Sequence, residues 1–267
     1  MNGERDPLRD VGARIIDARA ELRFFCAALA YFTRVPVPRG VGAEVSDLAG
    51  AIRYFPVIGA LVGGIGAVVY LVALRVFPAS IAVLLSMAAT LAATGAFHED
   101  GLADSCDAFG GGGTREDVLR IMRDPRIGAF GAIALVVTLS LKWQTLAAMP
   151  PLVAAWLMIA AHAASRALAA SFLVTLDYAR AEGKAQPVAQ RMSWRAYGVA
   201  AALGLPWLLG PDWRAGLVAL GVTLLLRAVL ARYFARRLGG YTGDCLGFAQ
   251  QVFELAIYLS VLGWISS

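Results

Sequence analysis

The stretch FPVIGALVGGIGAVVYLVALRVFPASIAVLLSMAATLAATGAF (residues 55–97) decides the fold class of this chain. It contains one charged residue, Arg75, and a proline near its middle, Pro78. A bilayer is crossed by about 20 apolar helical residues, because the backbone polar groups must bond within the segment itself. The stretch therefore predicts two membrane-spanning helices, residues 55–77 and 78–97.

The rest of the chain continues this apolar pattern. Of its 267 residues, 59% are hydrophobic and only 16% are charged, whereas roughly 25% are charged in a typical soluble domain. Such a composition excludes an ordinary soluble domain, since too few charged residues remain to build its exterior. Five further candidate spans are residues 127–149, 151–176, 196–210, 215–234 and 245–265. The span at 196–210 is the weakest, because it is short and Pro206 interrupts it.

The segment before the first span reads differently. LRFFCAALAYF (residues 22–32) is too short to cross a bilayer, so an interfacial or re-entrant helix is predicted there. The whole chain is then an all-α polytopic membrane protein of one domain with about seven transmembrane helices. Residues 1–54 form a cytoplasmic and interfacial lead-in, and residues 55–267 form the transmembrane bundle.

The positive charges predict the orientation in the membrane. Eight arginines precede the first span, between residues 5 and 53, and further arginines follow in residues 98–126. Because cytoplasmic loops are enriched in Lys and Arg, the N-terminus and residues 98–126 are predicted to be cytoplasmic. The net charge of +5 is explained by this topology, and no basic groove with interleaved aromatic residues points to nucleic acid. The three cysteines lack a CxxC pair, which argues against a disulfide framework or a zinc ribbon.

The second predicted span runs directly into HEDGLADSCDAFGGGG (residues 98–113). On a helix, Asp100, Asp104 and Asp107 share one face at i, i+4 and i+7. Three carboxylates placed in this way repel one another unless they bind a divalent cation such as Mg²⁺ or Mn²⁺. The pattern predicts metal-assisted chemistry on a phosphate ester at the cytoplasmic surface. The alternative interpretation is a helix that simply becomes acidic where it meets water.

Other polar residues near this cluster leave two interpretations open. His98 either hydrogen-bonds a carboxylate or phosphate or is an interfacial residue, and Asp124 and Arg126 either bind metal and phosphate or form an ordinary surface pair. Thr114 is predicted to cap an amphipathic helix lying on the membrane. The candidate catalytic carboxylates are Asp100, Asp104, Asp107 and Asp124, and the candidate substrate contacts are His98, Arg123, Arg126, Arg166, Asp244 and Glu254.

Charged residues that lie within the predicted spans are candidates for functional residues, because a charge inside the membrane is energetically costly. Arg166 is costly in a membrane unless it faces a cavity or a partner, so it is either functional or part of a structural pair. Glu254 shares a face of the last helix with Asp244 and is predicted to face the same cavity as Asp100. Asp177, Arg180 and Lys184 lie in a cytoplasmic loop, where a solvated surface is the favoured interpretation and contacts with an anionic substrate are the alternative.

Five blocks of sequence carry a resemblance to a known family. They are FTRVPVP (32–38), YFPVIGALVGG (54–64), HEDGLADSCDAFGGG (98–112), RIMRDPRIGAFGA (120–132) and LGGYTGDCLGFAQQVFE (238–254). In these blocks the sequence resembles the cobalamin synthases, the adenosylcobinamide-GDP ribazoletransferases. Two departures stand out: the family is expected to have an apolar residue where Glu99 stands, and residues 182–190 lack the Gly-rich pattern expected of that loop.

The resemblance implies an inner-membrane transferase that completes the cobamide nucleotide loop. The 3'-hydroxyl of α-ribazole, or of its 5'-phosphate, would attack the cobinamide-linked phosphate of adenosylcobinamide-GDP and release GMP. Mg²⁺, with Mn²⁺ as the alternative metal, would be held by Asp100, Asp104 and Asp107. One of these carboxylates or Asp124 would accept the hydroxyl proton. Homo-oligomerisation and association with other corrin-assembly enzymes are left open.

Two rival functions remain at this stage. A CDP-alcohol phosphotransferase also binds metal through helix-borne aspartates, but its pattern D-x-x-D-G-x-x-A-R fails at Phe97 and at Asp104. A transporter would use Arg166, Arg227 and Glu254 to line a pathway. Against a transporter, the polar residues gather at one cytoplasmic mouth instead of at the membrane midplane.

Overall fold

The computed structural model describes residues 18–37, 48–180, 191–210 and 212–267. We number its helices in chain order. The helices are α1 (Ala18–Phe32), α2 (Leu48–Ala51), α3 (Phe55–Ala73), α4 (Ala79–Thr94), α5 (Phe97–Gly111), α6 (Arg115–Ile121), α7 (Ala129–Ala147), α8 (Pro151–Ala170), α9 (Phe172–Thr175), α10 (Trp194–Gly204), α11 (Trp213–Leu238) and α12 (Gly243–Ser266). Two 3₁₀ helices, Ile52–Tyr54 and Leu205–Leu209, lead into α3 and out of α10. The all-α fold class is confirmed for the part of the chain that the structure describes.

Helix α8 forms the centre of the bundle, and α3 packs along it. The contact is close because two glycines of α3 face the α8 backbone. A Cβ atom at Gly63 would lie 2.4 Å from the Met158 carbonyl oxygen, and one at Gly59 would lie 2.3 Å from that of His162. The small-residue spacing at Gly59 and Gly63 therefore permits this helix contact. At Gly64, the next residue, no atom of the described chain outside the neighbouring backbone of α3 itself lies within 4 Å of the Cβ position.

The predicted span at residues 78–97 is shorter than expected and bent. Helix α4 ends at Thr94, and α5 leaves it at an angle of 88°. Gly95 and Ala96 both adopt left-handed backbone conformations, with φ of 68° and 57°. A left-handed residue ends a helix by redirecting the chain, and glycine does so without steric cost. The acidic residues thus lie on a separate helix that crosses the end of the bundle.

The helices that are long and apolar enough to span a membrane are fewer than predicted. Among the described residues there are five, or six if the bent pair α4–α5 counts as one span. The predicted span at 196–210 differs because it divides at Gly204 into α10 and a 3₁₀ turn that contains Pro206. A proline lacks the N–H needed to continue the α-helical bonding, which explains the division.

Helix α6 begins as predicted but faces another way. Thr114 caps it through a reciprocal pair of bonds with Asp117, a capping box. Its apolar side, which includes Val118 and Met122, packs into a core cluster with Phe234 and Leu238 of α11. The prediction that this side lies on the membrane was wrong, because α11 already covers it.

Candidate functional site

Helix α5 presents Asp100 and Asp104 one turn apart, with Asp100 exposed and Asp104 half-buried. Helix α12 crosses α5 closely at Gly101, where a Cβ atom would lie 3.1 Å from the Gly247 Cα. This approach brings Asp244, in the first turn of α12, up to the acidic helix. Asp100, Asp104 and Asp244 are close enough to interact electrostatically. The sequence predicted that Glu254 of this helix faces the same cavity as Asp100, whereas the residue of α12 that lies beside Asp100 and Asp104 is Asp244.

Arg180 supplies a positive charge at the same place. Its Nη2 donates a hydrogen bond of 2.7 Å to Asp244 Oδ2, and both side chains are largely buried. Its Nε is buried and has no hydrogen-bond partner in the part of the chain that the structure describes. One more hydrogen-bond acceptor would satisfy this donor. We call Asp100, Asp104, Asp244 and Arg180 the acidic cluster. Lys184, a candidate in the same loop, lies outside the described residues.

Asp107 has its hydrogen-bond partners outside the acidic cluster. Its Oδ2 accepts a bond of 2.7 Å from the Gly128 N–H, and its Oδ1 accepts one of 2.8 Å from the Gly131 N–H. These N–H groups belong to the start of α7, where a helix has no internal acceptors for them. Asp107 therefore caps α7 from another helix, a role that the predicted ligand set Asp100, Asp104 and Asp107 did not include.

The fit of a divalent cation depends on the remaining carboxylates. In the described part of the chain, no three His, Cys, Asp or Glu side chains are already arranged around a common metal position. Asp100, Asp104 and Asp244 nevertheless supply the hard oxygen donors that Mg²⁺ prefers, and Mg²⁺ usually keeps several waters or substrate phosphates as its other ligands. The chemistry of the donors fits Mg²⁺, and the metal site stays a prediction.

The candidates that follow α6 form a surface pair. Arg126 donates from Nε and Nη2 to the two oxygens of Asp124, at 2.9 and 2.7 Å. These bonds lower the pKa of Asp124 to about 2. A general base works best with a pKa near the operating pH, so the geometry favours the surface-pair interpretation. Arg123 is exposed beside them, at the end of α6.

A second polar network lies inside the bundle, and sequence analysis missed its central residue. Lys142 of α7 forms a salt bridge of 2.8 Å with Glu254 of α12. Lys142 also donates to Gln251 Oε1, and Gln251 in turn donates to Glu99 Oε1. Glu254 therefore pairs with Lys142 and does not face Asp100 as expected. The sequence does contain a signal for Lys142, because a lysine within an apolar span is rare and is expected to have a buried partner.

Arg166 belongs to this internal network, not to the acidic cluster. It is fully buried, and its Nη1 bonds to the ring Nδ1 and the backbone oxygen of His162. Its guanidinium lies over the Phe55 ring at 5.6 Å. Arg227, a candidate in the transporter hypothesis, binds Ser171 and Thr175 near the end of α9. Both arginines thus have structural partners.

His98 is buried beside an aromatic pocket. Its ring stacks on Phe55 at 5.6 Å, and no described residue forms a hydrogen bond with its Nε2. It contacts neither a carboxylate nor an exposed surface, so neither interpretation from the sequence describes its position. The pocket lies between α1, α3, α5 and α12.

Comparison with known proteins decides the family. The model of the family described as Cobalamin-5-phosphate synthase matches residues 24–262. The chain belongs to this family. Three relatives described as Adenosylcobinamide-GDP ribazoletransferase also cover most of it. The relative from Ralstonia pickettii (strain 12J) is 58% identical over 90% of this chain and 95% of its own length. The one from Ralstonia nicotianae (strain ATCC BAA-1114 / GMI1000) is 56% identical over 93% of this chain and 98% of its own length.

The third relative, from Shewanella sp. (strain ANA-3), is 44% identical over 91% of this chain and 94% of its own length. No solved structure is similar enough to match. The resemblance to cobalamin synthases is confirmed, and with it the enzyme class: the chain is a transferase of cobalamin biosynthesis with apolar helices suited to a membrane. The rival assignments to CDP-alcohol phosphotransferases and transporters are not supported by this membership.

Proposed function

We propose that this protein joins adenosylcobinamide-GDP to α-ribazole, or to α-ribazole 5'-phosphate, and releases GMP. The observation that carries the proposal is the acidic cluster, where three carboxylates and an arginine meet at the crossing of α5 and α12. The diphosphate substrate needs positive charge nearby to stabilise it, and the attacking hydroxyl of the acceptor nucleoside needs a group that accepts its proton. The cluster offers groups for both tasks, and the family supplies the identity of the substrates.

The reaction exchanges one phosphorus–oxygen bond for another. The 3'-oxygen of the acceptor bonds to the cobinamide-linked phosphorus, and the bond from that phosphorus to the oxygen bridging to GMP breaks. The hydroxyl proton passes to a carboxylate of the acidic cluster and then to water. Asp100, Asp104 and Asp244 would hold Mg²⁺, which would supply positive charge to neutralise the diphosphate. Arg180 contributes a donor at Nε, which has no partner among the described residues and is directed to a phosphate oxygen in this proposal.

We further propose that the protein lies in the bacterial inner membrane with the acidic cluster on the cytoplasmic side. The support is the concentration of arginines before α3 and in residues 98–126. A cysteine placed at the exposed Glu116 should react with a membrane-impermeant thiol reagent only after spheroplasts are opened. Reaction in intact spheroplasts would reverse the proposed orientation.

The proposed reaction is tested with purified protein in lipid nanodiscs. With Mg²⁺, adenosylcobinamide-GDP and α-ribazole, we expect equal amounts of GMP and of the joined product. Without α-ribazole, no GMP should appear. Absence of GMP release, together with transfer of a phosphoalcohol group from a CDP-linked donor, would replace the proposal by the phospholipid-enzyme alternative.

A further inference from the structure

The aromatic pocket beside His98 has no role in the reaction described so far. Its walls include Phe32 of α1, Phe55 of α3, Phe97 and His98 of α5, and Tyr241 just before α12. About 500 Å³ of empty space lies within it, a figure that includes the open solvent at its mouth. Because the pocket is open on one side and walled by aromatic rings, it is a candidate binding site.

The pocket is built from rings that support one another. Phe32 and Phe55 stack with their centroids 4.1 Å apart, and Phe97 meets Phe32 edge-on at 5.8 Å. His98 lies nearly parallel to Phe55, at an interplanar angle of 17°. Rings arranged in this way favour a flat aromatic guest, because offset-stacked and edge-on contacts are both attractive.

His98 adds one specific polar group to this apolar surface. The residue is only 2% exposed, and within residues 18–37, 48–180, 191–210 and 212–267 its Nε2 has no hydrogen-bond partner. A buried polar atom without a partner is unfavourable and calls for an explanation. A guest that offers one acceptor to the imidazole N–H would provide it, with His98 in the tautomer that carries its proton on Nε2.

The pocket also adjoins the acidic cluster. Tyr31, which lines the pocket, lies close enough to Asp244 of the acidic cluster to interact with it electrostatically, and Gly243, another lining residue, directly precedes Asp244. A nucleoside whose base fills the pocket would extend its ribose from there. The pocket and the acidic cluster are thus neighbouring parts of one surface.

We propose that this pocket binds the planar, uncharged base of the acceptor nucleoside, a benzimidazole. The proposal rests on the function proposed above and names the site of one substrate. In a benzimidazole nucleoside one ring nitrogen is bonded to ribose, which leaves one nitrogen as a hydrogen-bond acceptor and a hydrocarbon edge. That pattern matches an aromatic pocket with a single unpaired imidazole nitrogen. Guanine, the base of the other substrate, carries several donors and acceptors that these rings would leave unpaired.

The first test compares two exposed phenylalanines. Phe97 lines the pocket and is 41% exposed, whereas Phe77 lies beyond the far end of α3 and is 45% exposed. In Phe97→Leu, we expect the Kd for α-ribazole and its KM to rise about 3- to 10-fold, with the KM for adenosylcobinamide-GDP unchanged. Phe77→Leu should change neither constant. An increase only in the donor KM, or no change in α-ribazole binding, would overturn the proposal.

The second test isolates His98 with an altered ligand. An indole nucleoside replaces the free ring nitrogen of the base by C–H, and we expect the wild-type protein to bind it about 10-fold more weakly than α-ribazole. His98→Gln, which keeps a donor, should retain this discrimination, and His98→Leu should lose it. Equal binding of both nucleosides by the wild-type protein would contradict the role of His98.

Binding is measured at equilibrium without adenosylcobinamide-GDP, so it does not require turnover. If the wild-type protein releases no GMP but binds α-ribazole with the stated dependence on Phe97, the proposed function fails and the pocket assignment stands. If GMP is released but Phe97 and His98 do not affect α-ribazole binding, the pocket assignment fails and the function stands.

Discussion

Lys142 and Glu254 form a salt bridge within the bundle, and both side chains are almost completely buried. Gln250 donates to the second carboxylate oxygen of Glu254, and Tyr258 donates to the first. The charges are thus paired and hydrogen-bonded on several sides. Removing one member of such a pair leaves an uncompensated charge, which is far more costly than removing both.

This pairing predicts a non-additive effect on stability. Lys142→Met should lower the free energy of unfolding by about 3–5 kcal/mol, because Glu254 loses its partner. Adding Glu254→Gln should restore part of that loss. Denaturation of the detergent-solubilised protein by SDS measures both values. Additive losses in the double variant would show that the two side chains do not interact.

Asp124 is predicted to be dispensable for catalysis. Its pKa, lowered to about 2 by the bonds from Arg126, lies below the usual value, so the carboxylate stays ionised throughout neutral and mildly acidic pH. Its interaction with Arg126 is complete above the ordinary carboxylate pKa near 4 and is lost only as the pH falls through about 2. The pH–rate profile of Asp124→Asn between pH 5 and 9 should therefore superimpose on that of the wild-type protein. A lost acidic limb would identify Asp124 as the base instead.

Only some of these buried charged residues were recognised from the sequence. Arg166 and Glu254 were recognisable because charged residues are rare in spans, and the same signal at Lys142 was overlooked. The partners were not recognisable, since Lys142 and Gln251 are separated by 109 residues. The residue types therefore predicted that buried polar side chains are present, but only the fold shows which of them pair with one another.

At the scale of elements, Asp107 connects two helices. It belongs to α5 and caps the start of α7, a contact across 21 and 24 residues that its helical spacing does not reveal. The helical spacing correctly predicted that Asp107 lies one turn after Asp104. It did not predict the hydrogen-bond partners of the Asp107 side chain. The bend between α4 and α5 was also not predictable from the sequence. Hydropathy indicates the length of an apolar segment, but it does not show that a residue such as Ala96 adopts a left-handed conformation.

The capping role of Asp107 can be separated from metal binding. Asp107→Ala should lower the free energy of unfolding by about 1 kcal/mol, as loss of a helix cap does. The Mg²⁺ concentration for half-maximal GMP release should stay unchanged, whereas in Asp100→Ala it should rise. If Asp107→Ala raises the Mg²⁺ requirement as much as Asp100→Ala, then Asp107 is a ligand.

Two adjacent glycines of α3 allow a controlled test of its packing on α8, because Gly63 faces α8 and Gly64 does not. Gly63→Ala should destabilise the protein by about 1–3 kcal/mol, because its Cβ would lie 2.4 Å from the Met158 oxygen. Gly64→Ala should be neutral or slightly stabilising, since nothing lies near that Cβ and alanine favours a helix. SDS denaturation curves of the two variants check this, and equal destabilisation would argue against the close contact.

At the scale of the whole molecule, the bundle has a buried centre and an apolar outside. Of the candidate spans, α8 is the most buried, while α7 and α11 expose most of their apolar surface. Such an arrangement suits a lipid environment, where outward-facing residues need not be polar. Hydropathy predicted this class and most spans, because bilayer thickness sets helix length. It did not predict that α5 and α12 cross to form the acidic cluster, which depends on tertiary contact at Gly101.

The central claim is that the acidic cluster performs the transfer, and Asp104→Asn tests it most directly. We expect GMP release from adenosylcobinamide-GDP and α-ribazole, in nanodiscs with Mg²⁺, to fall about 100-fold or more, because the amide, unlike the carboxylate, can neither accept the hydroxyl proton nor serve as an anionic ligand for Mg²⁺. The unfolding midpoint should be retained, and Glu116→Gln, a change at an exposed carboxylate, should keep normal turnover. Near-normal GMP release by Asp104→Asn would contradict the account.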